Sequence, residues 1–130
     1  MRKILISFLV IVGIAILMST PGCRKPPVED PLRVSTGVAA LVTSPGSFFD
    51  FNLLVESVMP KGGVRIAYTV KGETNNFNYP QGSIITTSDK NSQIRIRNLP
   101  AQLICICEIT VTSLSKNTNI AKTSFRVVYK

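Results

Sequence analysis

The chain of 130 residues contains no histidine, the side chain used most often as a general base and as a metal ligand near neutral pH. Carboxylates are scarce, with seven Asp and Glu in all. Asp50 and Glu56 share one predicted strand but lie about 20 Å apart along it, too far to flank a single glycosidic bond. No glycine-rich phosphate-binding motif accompanies them. We therefore expect no enzymatic activity, no metal site and no cofactor.

Tryptophan is also absent, and this weakens the case for a carbohydrate-binding surface. The net charge of +8 comes from basic residues scattered along the chain rather than clustered with aromatic residues. A nucleic-acid interface normally gathers them on one face. The sequence thus predicts no nucleic-acid partner and a solvated basic surface, suited to the vicinity of anionic lipid or glycan.

Cysteine occurs three times. Cys105 and Cys107 are two positions apart in a predicted strand, so their side chains point to the same face about 6.6 Å apart. That separation is near the upper limit for a disulfide, and the parallel Cβ directions do not suit one. We interpret both as small buried apolar residues. An intermolecular disulfide or a metal clip is the functional alternative.

The N-terminal residues carry the most informative pattern. Arg2 and Lys3 precede an apolar run over residues 4–18, which small residues and Cys23 follow. This is the arrangement of an export signal, and the run is shorter than the ~20 apolar residues that span a bilayer. The segment resembles a bacterial lipoprotein signal peptide. The resemblance implies cleavage before Cys23 and lipidation of that cysteine; an ordinary cleaved signal or a retained anchor is the alternative.

The chain divides into three predicted parts. Residues 1–22 form the signal peptide, residues 23–31 the lipidated cysteine with a proline-rich tether, and residues 32–130 a β-domain. Prolines in the tether favour an extended spacer that lifts the domain off the membrane. Arg24 stands where the usual inner-membrane retention signal has aspartate, so we expect the outer membrane in a cell with two membranes.

The β-domain is predicted as all-β because short β-branched runs alternate with turn residues and no amphipathic helix occurs. Gly37 interrupts the first run and indicates a bulge or a change of sheet. The predicted strands cover residues 33–42, 48–58, 64–70, 83–87, 92–99, 103–113 and 120–129.

The order of elements over residues 94–129 carries a resemblance. An alternating strand is followed by Asn98-Leu99-Pro100-Ala101, a long alternating strand, a polar loop and a last alternating strand. This order resembles the final three strands of a fibronectin type III or related immunoglobulin-like domain. The resemblance implies an immunoglobulin-like antiparallel β-sandwich of about seven strands.

Residues 72–82 are predicted to be a loop that combines amides with aromatic rings. Such side chains can stack on a sugar or dock on a protein, and sandwich-end loops commonly recognise partners. Alternatively, an aromatic ring covers the core and the asparagines form turns. The candidate ligand residues are Asn75, Asn76, Phe77, Asn78 and Tyr79.

Together these features predict a lipid-anchored, non-catalytic binding or accessory module of the cell envelope. Its expected partner is an envelope protein, with a glycan as the second candidate. The alternative is a structural subunit of a surface assembly such as a fimbria or a conjugation apparatus. The sequence does not fix the oligomeric state.

Overall fold

The computed structural model describes residues 28–130, which contain nine strands and no helix. The predicted signal peptide and Cys23 lie outside the described residues. The strands are β1 (Val34–Ser35), β2 (Leu41–Ser44), β3 (Phe49–Val55), β4 (Val64–Gly72), β5 (Asn78–Tyr79), β6 (Ile85–Thr87), β7 (Asn91–Ile96), β8 (Ile104–Ser113) and β9 (Ile120–Tyr129). The expectation of an all-β domain is confirmed.

The strands form two sheets. A three-stranded sheet has the order β1-β3-β7, and a six-stranded sheet has the order β2-β9-β8-β4-β5 with β6 also paired to β4. Buried apolar side chains from both sheets make up one core cluster, including Leu53 and Ile94 from the first and Ile66, Ile109 and Val127 from the second. The domain therefore has the character of a β-sandwich.

Alternation along the strands builds this core as the period of two predicts. In β3, Phe51, Leu53 and Val55 are buried while Asn52 and Leu54 are exposed. Each fully buried branched side chain stabilises the fold by about 1.5–3 kcal/mol relative to exposure. The same alternation in β8 buries Cys105, Cys107, Ile109 and Val111.

Gly37 marks a change of sheet. Before it, β1 pairs antiparallel with β3 in the smaller sheet; after it, β2 pairs parallel with β9 in the larger one. Gly37 itself has a φ of 64°, a left-handed conformation that glycine adopts without a Cβ penalty. Of the two interpretations of the break, the change of sheet is confirmed.

Two parts of the strand prediction were wrong. The described chain has nine strands rather than about seven, because the first predicted strand divides at Gly37 and β5 lies inside the predicted loop 72–82. The sandwich is not wholly antiparallel either, since the change of sheet brings β2 alongside β9 in the same direction.

Candidate binding end of the domain

The predicted ligand residues lie on the hairpin between β4 and β5. Its turn is closed by backbone hydrogen bonds: Gly72 N donates to Phe77 O at 2.9 Å, and Asn76 N donates to Gly72 O at 3.1 Å. Asn76 has a φ of 57°, which asparagine tolerates better than most residues. The fold brings all five predicted residues together on this hairpin.

Three of the five residues serve the hairpin itself. Asn75 Nδ2 donates to the Tyr79 hydroxyl at 3.1 Å, and Asn75 Oδ1 accepts from Phe77 N at 3.1 Å. Tyr79 is half-buried and packs against the core. Asn75 and Asn76 therefore shape the turn and Tyr79 covers the core edge, which leaves Phe77 and Asn78 as the candidate ligand residues.

Phe77 is the exposed ring of this group. Its side chain is 58% exposed, and its centroid lies 4.9 Å from that of Tyr79 with the rings tilted by 62°. An edge-to-face pair of this kind holds the outer ring in a defined orientation. Phe77 is thus an exposed aromatic ring presented on a hydrogen-bonded hairpin, and phenylalanine is among the residue types enriched in protein interfaces.

Hydrogen bonds that the sequence did not predict connect this hairpin to the smaller sheet. Gln81 Nε2 donates to Arg97 O at 2.8 Å, and Gln81 Oε1 accepts from Arg97 N at 2.9 Å. Asn98 Nδ2 donates to Pro80 O at 2.7 Å. These bonds limit the motion of the hairpin. A single glutamine in a polar loop gives no local signal of such a contact.

The end that carries Phe77 also holds the loops 45–48 and 97–103, and we call it the far end. Leu99 N donates to Ser47 O at 2.9 Å, and Glu73 N donates to Ile104 O at 2.9 Å, which connects these loops. All non-glycine residues with positive φ in the described range 28–130 lie here, namely Asn76, Asn98 and Gln102. Asparagine tolerates this conformation, whereas Gln102 adopts it at a cost of about 1–2 kcal/mol.

The opposite end, which we call the N-terminal end, receives residues 28–32 and holds the loops 56–63, 88–90 and 114–119. Asn119 grips the entering chain: its Nδ2 donates to Asp30 O at 2.8 Å and its Oδ1 accepts from Leu32 N at 2.9 Å. Strand β4 runs from Val64 at this end to Gly72 at the far end, a rise of about 26 Å. Phe77 thus lies at the opposite end of the domain from the residues at which the chain enters.

Glu29 fixes the entering chain further. Its Oε1 accepts from the hydroxyls of Ser113 at 2.6 Å and Ser115 at 2.9 Å. The hydrogen bond from Ser113 is the largest cause that lowers the pKa of this carboxyl below its ordinary value, and the Ser115 bond and nearby Lys116 act in the same direction. The last residues of the predicted tether, residues 29–31, therefore run along the domain.

The carboxylate of Asp50, on β3, is engaged by a neighbouring cation. Asp50 forms a two-pronged ion pair with Arg95, with distances of 2.7 and 2.8 Å, and the hydrogen bond from Arg95 lowers the pKa of Asp50. The Arg95 guanidinium lies 4.4 Å from the centroid of Phe48. A carboxyl held ionised in this way does not suit a general acid.

Cys105 and Cys107 are free, fully buried members of the core. Burial raises the pKa of both thiols; that of Cys107 reaches about 12, with the charge of Glu108 adding to the effect. Both are therefore protonated at neutral pH and shielded from solvent. This placement agrees with their interpretation as small apolar residues.

Within residues 28–130, no cluster of three or more Cys, Asp or Glu side chains has the geometry of a metal site. The same residues include no helix of the length and hydropathy needed to cross a membrane.

Comparisons with protein-family models, with curated proteins and with solved structures gave no match to this chain.

Proposed function

We propose that the protein is a lipid-anchored, non-catalytic module of a bacterial cell envelope that recognises an envelope protein through its far end. The observation that carries the proposal is the separation of the two ends. The chain enters at one end, where Asn119 and Glu29 hold it. The exposed ring of Phe77 stands at the other. If lipid on Cys23 holds the entry side near a membrane, the far end is directed toward partners.

We propose further that the fold is immunoglobulin-like. The strand orders β1-β3-β7 and β2-β9-β8-β4-β5 support this, as does the first strand that serves both sheets. The terminal strand β9 lies between β8 and β2, so its pairing is complete on both sides. A complete terminal strand favours a self-contained module over a subunit that exchanges strands with its neighbours.

A protein is the favoured partner because the far end presents two exposed aromatic rings: Phe77, which Tyr79 supports, and Phe48, which lies against Arg95. Aromatic residues on rigid supports are enriched at the centres of protein interfaces. A glycan needs several polar contacts around a stacking ring. At this hairpin, the Asn75 side chain is already engaged with Tyr79 and the Phe77 backbone.

The test is mild crosslinking of the full chain in its native membrane, followed by capture and by intact mass spectrometry of the N-terminus. We expect acylated Cys23 and one dominant envelope protein, and we expect Phe77→Ala to remove that protein from the capture. Ile84→Ala is the matched control, because Ile84 is 57% exposed and lies away from the far-end loops.

Three results would contradict the proposal. An unmodified Cys23 or a retained Met1 would remove the lipid anchor. Capture that is unchanged in Phe77→Ala would remove the far end as the binding surface. A ladder of self-crosslinked chains would favour a structural subunit of a surface assembly instead.

A further inference from the structure

The N-terminal end carries an apolar surface. Val28 is 81% exposed, Val58 65% and Leu114 47%. Leu114 N donates to Gly63 O at 3.0 Å, so the loop 56–63 lies directly beside Leu114. Val28 and Val58 line one open groove of about 580 Å³ together with Met59. Aliphatic side chains gathered at one tip of a domain are more than the scattered exposure of an ordinary surface.

The groove also has a charged rim. Lys61 and Lys116 line it, together with Asp30 and Glu29. One oxygen of the Glu29 carboxylate, Oε1, accepts from the hydroxyls of Ser113 and Ser115. An aliphatic surface beside lysines is typical of a protein face that lies in the headgroup region of a bilayer.

The length of the tether restricts what can face this surface. Because residues 29–32 are bound along the domain, five residue steps separate Cys23 from Val28. Fully extended, these steps span about 17 Å, and the headgroup layer on one side of a bilayer is itself about 6 Å thick. A lipid on Cys23 would hold the N-terminal end close to the membrane. Arg24 and Lys25, which lie within those steps, suit anionic headgroups.

We infer that the N-terminal end seats on the bilayer that holds the lipid of Cys23, with Val28, Val58 and Leu114 in the headgroup region. The inference rests on the lipid anchor of the proposed function and adds an orientation to it. The domain then contacts the membrane directly and is not held away from it by a flexible tether. The far end is then directed away from the surface.

The test uses the full lipidated chain in vesicles of phosphatidylethanolamine and phosphatidylglycerol. A fluorophore is attached at Val58→Cys or, separately, at Leu114→Cys. Phe77→Cys provides the far-end control and Ile84→Cys the control along the edge, both with exposure close to that of Val58. Cys105 and Cys107 are fully buried, so we expect them to react little with the fluorophore. Labelling of the unsubstituted chain measures how much fluorophore they do bind.

We expect a headgroup-attached nitroxide lipid to quench positions 58 and 114 at least about threefold more strongly than positions 77 and 84. Iodide in the aqueous phase should show the opposite order. Because Val58 and Leu114 are exposed, neither substitution disturbs the core.

Several outcomes would overturn the inference. Equal lipid quenching at all four positions, in a sample whose Cys23 is acylated by intact mass, would leave the anchor standing and remove the seated orientation. Shielding of position 58 from iodide without lipid quenching would indicate a protein on this surface. An unacylated Cys23 would remove both the anchor and the inference.

Discussion

The two ends of the domain are built differently. At the N-terminal end, side chains of Asn119, Ser113 and Ser115 hold an incoming segment, and the exposed surface is aliphatic. At the far end, loops with left-handed residues are tied together and present an aromatic ring. The first arrangement suits fixation to a support and the second suits recognition. The same two sheets can therefore serve both purposes, because the loops differ.

The largest expected contrast between the ends is in the loss of stability when a glycine is replaced by alanine. Gly63 has a φ of 84°, and a Cβ there would lie 2.6 Å from the backbone oxygen of Thr87. At the far end, a Cβ on Gly46 would meet nothing within 4 Å. We expect Gly63→Ala to lower the free energy of unfolding by about 2–3 kcal/mol. Gly46→Ala should change it by less than about 0.5 kcal/mol, and urea unfolding measures both. Equal effects would show that the turn at Gly63 relaxes freely.

The next contrast concerns the hydrogen bonds that hold the entering chain at the N-terminal end. Asn119→Ala removes the bonds to Asp30 O and Leu32 N, and the second leaves a partly buried donor without its partner. We expect the free energy of unfolding to fall by about 1–2 kcal/mol. Asn117→Ala, in the same loop but exposed, is the control, with an expected change below about 0.5 kcal/mol. Faster amide exchange at Leu32 in Asn119→Ala alone would locate the effect; no difference between the two variants would contradict it.

At the far end we expect a smaller change of opposite sign, an increase in the free energy of unfolding. Gln102 has a φ of 64°, which a residue with a side chain adopts at a cost. Gln102→Gly should raise the free energy of unfolding by about 0.5 kcal/mol, because relief of strain exceeds the greater entropy of glycine in the unfolded chain. Thermal unfolding checks the sign. A loss of stability would mean that contacts of the glutamine side chain outweigh the strain.

The smallest effect concerns pH at the N-terminal end. The pKa of Glu29 is lowered in the folded state from its ordinary value of 4.5, first by the hydrogen bond from Ser113. Its contribution to stability is therefore complete above pH 4.5 and is lost as the pH falls through the folded pKa. The stability difference between the unsubstituted chain and Glu29→Gln should be constant from neutral pH down to this window and shrink below it. A difference that grew in acid would reverse the assigned direction.

Local pattern determined much of the fold in advance. The alternation expected of β-strands accounts for the buried positions of β3 and β8, among them Phe51, Leu53, Cys105 and Ile109, because a strand exposes opposite faces at successive positions. The break at Gly37 was equally visible, since glycine in a strand pattern marks a change of backbone direction. Both signals lie within a few neighbouring residues.

The contacts that distinguish the two ends were not visible in the sequence. Asn119 binds a backbone oxygen 89 residues away, and Gln81 pairs with a backbone 16 residues away. Neither hydrogen bond is associated with a periodic pattern in the amino-acid sequence. The candidate hairpin shows the same limit: Tyr79 was as good a ligand candidate as Phe77 until the pairing of Val70 with Tyr79 placed Tyr79 against the core.

The orientation of the two ends is tested most directly by one photocrosslinking experiment in native membranes. A benzophenone amino acid is placed at position 58 or at position 77 of the otherwise unchanged full chain, and the adducts are analysed by mass spectrometry. We expect phospholipid adducts at position 58 and an envelope protein at position 77. Lipid adducts at position 77, or the same protein at both positions, would contradict the assignment of one end to the membrane and the other to recognition.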